Sequence, residues 1–150
     1  MRFSWSAAVV LPLAAMMVAG SVVAKDRATG KGDQREAVIL NRGEAQELLA
    51  GMRTYLETIQ DIVSALAENK TARVPKIAAR SGNMMLSGIN PITGLKAPVG
   101  FTMMSLDTHD KFDKLAEKAG RGASRTEVLT DLADILNNCS GCHAAYKLAR

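Results

Sequence analysis

Both cysteines of this 150-residue chain fall within its last dozen residues, in the run Cys139-Ser140-Gly141-Cys142-His143. Two thiols at i and i+3 of a helix share one face, and the imidazole that follows stands beside them. The C-x-x-C-H spacing reads as covalent attachment of one c-type haem, with both thiols bonded to the porphyrin and His143 on the iron. Structural zinc wants four Cys or His ligands, and beyond these three the chain offers only His109. A reactive dithiol wants its cysteine at a helix N-terminus, where the dipole stabilises thiolate, whereas this motif closes a helical pattern. A local disulfide remains as the plain alternative.

The opposite end of the chain gives the compartment. Residues 1–24 combine an early Arg2, an uncharged run from Ala7 to Ala24 and a small-residue ending, Val22-Val23-Ala24. This is the pattern of a secretory signal peptide, with cleavage expected after Ala24. An uncleaved anchor stays open as the alternative, since the run approaches the ~20 residues that span a bilayer. Export of the bacterial type, to a periplasm, suits haem attachment, and no stable membrane insertion is expected after cleavage.

The chain carries 19 Lys and Arg against 15 Asp and Glu. The cations are scattered among acids with no stripe interleaved with aromatics, so a nucleic-acid surface is not expected. Beyond residue 24 the only aromatics are Tyr55, Phe101, Phe112 and Tyr146. A buried porphyrin would supply the missing bulk.

Periodicity predicts helices throughout. Residues 25–40 read as a flexible leader with a helix start available near Gln34. Asn41 and Glu44 form an N-cap and N3 pair, followed by apolar Ala45, Leu48, Leu49, Met52, Leu56, Ile59, Val63 and Leu66 in steps of three and four. A weaker helix is expected from Ala72 to Leu86, then a long connection over Gly88 to Gly100. A third helix carries Phe101, Met104, Phe112, Leu115 and Ala119, with a break near Asp107-Thr108. Ser124-Arg125-Thr126-Glu127 is a capping box opening the last helix, whose stripe runs Val128, Leu129, Leu132, Ile135, Leu136, Cys139, Cys142, His143, Tyr146. No period-two alternation supports strands. The expected fold is all-α, an antiparallel four-helix bundle over residues 41–150, with the haem between facing helices.

With Cys139, Cys142 and His143 near the C-terminus on the last of four helical stripes, and Lys147 four positions on from His143, the chain resembles the class II cytochromes c, the family of cytochrome c′ and its low-spin relatives. Lys147 stands where arginine is more usual in that family, keeping the charge but not the planar fork. The resemblance implies a mono-haem electron-transfer protein whose first helix supplies the distal residue. Met52, on that helix's apolar stripe beside small Ala50 and Gly51, is the candidate second axial ligand. It competes with the ordinary role of methionine as core filler. Met84, Met85, Met103 and Met104 are weaker candidates, and His109 reads as an exposed or propionate-facing side chain. Tyr146 and Lys147 are expected in the haem environment.

One-electron exchange with redox partner proteins is the leading expectation. The alternative is a five-coordinate iron binding nitric oxide or carbon monoxide among Leu48, Leu49 and Leu56. No acid–base pair adjoins the motif, so an enzyme is not expected. A homodimer is in keeping with the resembling family.

Overall fold

The computed structural model describes residues 32–88 and 91–149; the expected signal segment and leader residues 25–31 lie outside them. The described chain is predominantly helical. Three long helices dominate it: α1 (Arg42–Ala67), α4 (Val99–Gly120) and α5 (Arg125–Ala145), with short α2 (Val74–Ala78) and α3 (Pro91–Lys96) between the first two.

Local chemistry sets the ends. The Asn41 side chain accepts from the Glu44 amide at 2.9 Å, and the Glu44 carboxylate accepts from the Asn41 amide at 2.9 Å. Ser124 and Glu127 repeat this box at α5. Capping boxes satisfy amides that the first helical turn leaves unpaired. At its other end α1 stops when Asn69 takes φ +56°, letting the Asn69 and Lys70 amides donate back to Leu66 and Ala65. Gly122, at φ +90°, closes α4 the same way. Both turns reverse the chain through a left-handed residue.

The helices bury one contiguous core. Ile62, Ala65 and Leu66 of α1, Val74, Ile77 and Ala78 of α2, Phe112, Leu115 and Ala119 of α4, and Val128, Leu132 and Ile135 of α5 all pack together. These come from the C-terminal halves of α1 and α4 and the N-terminal half of α5. The core therefore sits at one end of the long helices.

Four expectations need correction. The second helix is not continuous: 3-10 turns at Thr71–Arg73, Ala79–Ser81 and Asn83–Gly88 flank α2. Its helix stops because Gly82 is extended (ψ −170°) and lies against the Asp113 carboxylate, leaving no space for a Cβ. That carboxylate accepts from the backbone and side-chain amides of Asn83. The third helix, in contrast, runs unbroken through Asp107-Thr108. The last helix ends at Ala145, so Tyr146 is extended and Lys147 does not follow His143 along a helical turn. Finally, two short strands exist. β1 (Glu36–Val38) pairs in parallel with β2 (Tyr146–Leu148), so the leader near Gln34 begins no helix and is tied to the C-terminus.

Val38 is buried by this pairing. Its carbonyl accepts from the Ala149 amide at 3.0 Å. Among the described residues no helix is long and apolar enough to cross a membrane.

Candidate functional site

Towards the end away from the core, α1, α4 and α5 border two adjoining cavities that open to solvent. One, of about 430 Å³, is lined by Met52, Tyr55 and Leu56 of α1, Phe101 and Met104 of α4, and Leu136, Cys139, Cys142 and His143 of α5, among others. The second, of about 800 Å³, shares Leu49, Met52, Phe101, Cys142 and His143 and extends to Arg35, Tyr146 and Lys147. Volumes of this order suit a sizeable organic ligand. The lining is mostly apolar, and Leu56 keeps 66% of its surface exposed although it faces the cavity. Burial of such groups is what a large apolar ligand would gain.

The motif residues lie in the last two turns of α5. Cys139 and Cys142 are half-buried free thiols. Burial pushes both thiols up from their ordinary range, and the nearness of the Cys139 sulfur adds to the effect at Cys142. They stand at the C-terminal end of their helix, where the dipole disfavours thiolate. Neither is poised as a reactive redox thiol. Among the described residues no group of three His, Cys, Asp or Glu side chains is placed to hold a metal ion.

Met52 stands on the α1 wall, lining both cavities and packing against the core. A donor on α1 and a donor on α5 thus share one apolar space. Gly51 beside it approaches the Met85 methyl group, to which a Cβ would come within 3.1 Å. Gly141 likewise lies against Met104. Small residues here let side chains of neighbouring elements press close to the helix backbone. Met84 and Met103 are exposed, and neither lines either cavity.

His109 departs most from expectation. It is 2% exposed, in the middle of α4. Its Nδ1 lies 2.9 Å from the Ser81 carbonyl, which only accepts, so Nδ1 carries the proton. Its Nε2, 2.6 Å from the Tyr55 hydroxyl, therefore accepts from the phenol in the neutral imidazole. Both nitrogens are engaged, and His109 is no candidate ligand. The apolar spacing Phe101, Met104, Thr108, Phe112, Leu115 already carries the inner face of α4 through this point, but the flanking Asp107 and Asp110 obscure it.

Tyr146 packs edge-on against Phe101, with ring centroids 5.6 Å apart at 89°. Gly100 adjoins the phenol oxygen so tightly that a Cβ would collide with it. Lys147 Nζ donates to the Asp33 carbonyl at 2.6 Å. Sequence reasoning missed Arg35, which donates to the carbonyls of His143 (3.1 Å) and Tyr146 (3.4 Å) while pairing with Asp33 at 2.7 Å. That guanidinium holds the Asp33 carboxyl far below the usual carboxylate range. A cation here caps the carbonyl-rich end of α5 directly behind His143. No local pattern announces a contact across more than a hundred residues. The cavity side chains Tyr55, Phe101 and Leu136 were also missed as a set, although scarce aromatics were a usable signal.

In comparisons with known proteins, no family model, no curated protein and no solved structure matches the chain.

Proposed function

We propose that this protein is an exported mono-haem c-type cytochrome, built as a four-helix bundle, that carries single electrons between partner proteins. The observation that carries the reading is the shared cavity: Cys139, Cys142 and His143 on the α5 wall and Met52 on the α1 wall. Bound there, haem would supply reversible one-electron chemistry at its iron. Cys139 and Cys142 would hold it covalently, and His143 would donate to its iron. Met52 would be the second, a soft thioether donor that favours the reduced metal and raises the potential.

The remaining residues have assignable work. Arg35 fixes the end of α5 and with it the backbone of His143. Phe101 and Tyr146 form an edge-to-face wall of the larger cavity. Arg35, Arg53 and Lys147 line the cavities and would be the cations available to a porphyrin's propionates. In this reading α2 and its flanking 3-10 turns serve as the fourth member of the bundle.

A second reading draws on the apolar cluster around Met52. Leu48, Leu49 and Leu56 line the cavities on the same wall, where a five-coordinate iron would bind nitric oxide or carbon monoxide. Optical spectra of the haem-loaded protein with and without carbon monoxide, compared with Met52→Ala, test the two. Indifference to carbon monoxide in the parent and ready binding in the variant support Met52 ligation and electron transfer. Ready binding in both overturns it in favour of gas binding.

A further inference from the structure

The last helix stops where nothing in its own sequence stops it. The run Ala144-Ala145-Tyr146-Lys147-Leu148-Ala149 has no glycine or proline and is rich in strong helix formers. The Tyr146 amide still makes the helical bond to the Cys142 carbonyl. In a continuing helix the Lys147 amide would come next, donating to the carbonyl of His143. That carbonyl accepts instead from Arg35 Nη1 at 3.1 Å, and residues 146–148 are drawn out as β2 beside β1. A guanidinium thus stands in for a backbone donor, and a segment with a helical preference is held as a strand by a distant part of the chain. The hold is slight. Among residues 33–38 only Val38 is buried, and it lies outside the core cluster. The other ties are surface contacts, which contribute little: Arg35 with Asp33 at 2.7 Å and Lys147 with Asp33 at 3.7 Å, joined by hydrogen bonds from Lys147 Nζ to the Asp33 carbonyl and from the Ala149 amide to the Val38 carbonyl.

We propose that residues 146–149 are a two-state segment: strand β2 and its end while the N-terminal strap, residues 33–38, is docked, and a further turn of α5 when the strap is released. Local preference and tertiary pairing disagree at this one place, which is the condition for a bistable element. Both states satisfy the His143 carbonyl, through Arg35 in one and the Lys147 amide in the other. Extension needs no new nucleus, because α5 already supplies the preceding turn, and Lys147 suits the negative end of a helix. What changes is the larger cavity. Asp33, Arg35, Val38, Tyr146 and Lys147 all line it. Winding residues 146–149 into α5 withdraws Tyr146 from Phe101 and Lys147 from Asp33. Strap docking therefore completes this wall, and strap release dismantles it, at the last turn of the helix that carries His143. A ligand that touches both Arg35 and Tyr146 favours the strand state. That the device regulates a haem site rests on the cytochrome reading above; the two states of the segment do not.

The test is carbon-13 NMR of the full haem-free chain, whose core is built of side chains alone. In the parent, the Cα shifts of residues 146–149 should lie on the strand side of random coil, with cross-peaks between Tyr146 and Phe101. Val38→Asp puts a carboxylate in the strap's one buried position. It should move those shifts to the helical side, with sequential amide–amide contacts, and remove the cross-peaks, while Phe112 and Ile135 keep their parent resonances. The double variant Arg35→Gln, Val38→Gly releases the strap without burying a charge; it should do the same, and it decides the matter should Val38→Asp not fold. Shifts at 146–149 that settle at random coil, or that stay extended, in a folded variant overturn the proposal. Failure of the chain to attach haem would remove the cytochrome reading and leave this result standing.

Discussion

The same three helices are packed dry at one end and held apart at the other. In the closed half, Ile62, Phe112, Val128 and Ile135 have no exposed surface, and Leu115 and Leu132 join them in one core. In the open half, Leu49, Leu56 and Leu136 are exposed and face a shared space, whereas the exposed stripe residues of the closed half, Val63 and Leu129, line neither cavity. Apolar periodicity is alike in both halves. What differs is the partner: side chains of neighbouring helices in one half, room for a ligand in the other.

Substitutions should separate the halves. The largest expected loss is Phe112→Ala, which removes a fully buried ring from the closed half and should cost about 3–5 kcal/mol, measured by urea unfolding of the haem-free chain. A loss under 1 kcal/mol would mean that the core at this end is loose. Next comes the boundary: Tyr55→Phe strips the phenol from His109 and leaves buried Nε2 unpaired, a cost of about 1–3 kcal/mol by the same assay. The cap of α1 ranks third, with Asn41→Ala expected to lose about 1 kcal/mol. Smallest is Leu56→Ala in the open half, which should change haem-free stability by less than about 0.5 kcal/mol while altering the optical spectrum of the haem-loaded protein. A large stability loss from Leu56→Ala without haem would erase the contrast.

Acidity should act on the paired carboxylates of the three long helices and leave the contrast intact. Hydrogen bonds from Lys96 and from the Asn41 amide hold the Glu44 carboxyl below its ordinary value. Those from Ser124 do the same for Glu127, and Asn138 followed by Lys111 for Asp107. A carboxyl that is more acidic when folded stabilises the fold fully above its unfolded pKa, and that stability disappears as pH falls through the folded value. The urea midpoint should therefore decline as pH drops below about 4.5, the ordinary glutamate value. Glu127→Gln should flatten the decline. A midpoint indifferent to pH in that range would contradict these assignments.

Much of this arrangement was legible in the chain. Asn41 with Glu44 and Ser124 with Glu127 announced two helix starts because capping is local chemistry. The stripes of α1, α4 and α5 announced their buried faces for the same reason. What sequence could not carry was contact between distant segments. The extended Gly82 is set by Asp113, thirty-one residues on; burial of His109 depends on Tyr55 and Ser81; and the C-terminus is captured by Arg35 and β1. Each replaced a local preference, helical continuation at Tyr146 or exposure at His109, with a partner brought in by the fold. At the candidate site, α5 fixed Cys139, Cys142 and His143 together by spacing alone, whereas Met52 shares their cavity only through helix packing.

The central claim is that the open half holds a covalently attached haem, and intact-protein mass spectrometry tests it most directly. The chain would be expressed with its N-terminal segment in a bacterium equipped for c-type haem attachment, purified, and stripped of loosely bound cofactor with acid. The account predicts a mass increase of one haem that survives the extraction in the parent and is absent in the Cys139→Ala, Cys142→Ala double variant. A parent chain that emerges colourless at its bare polypeptide mass would contradict it.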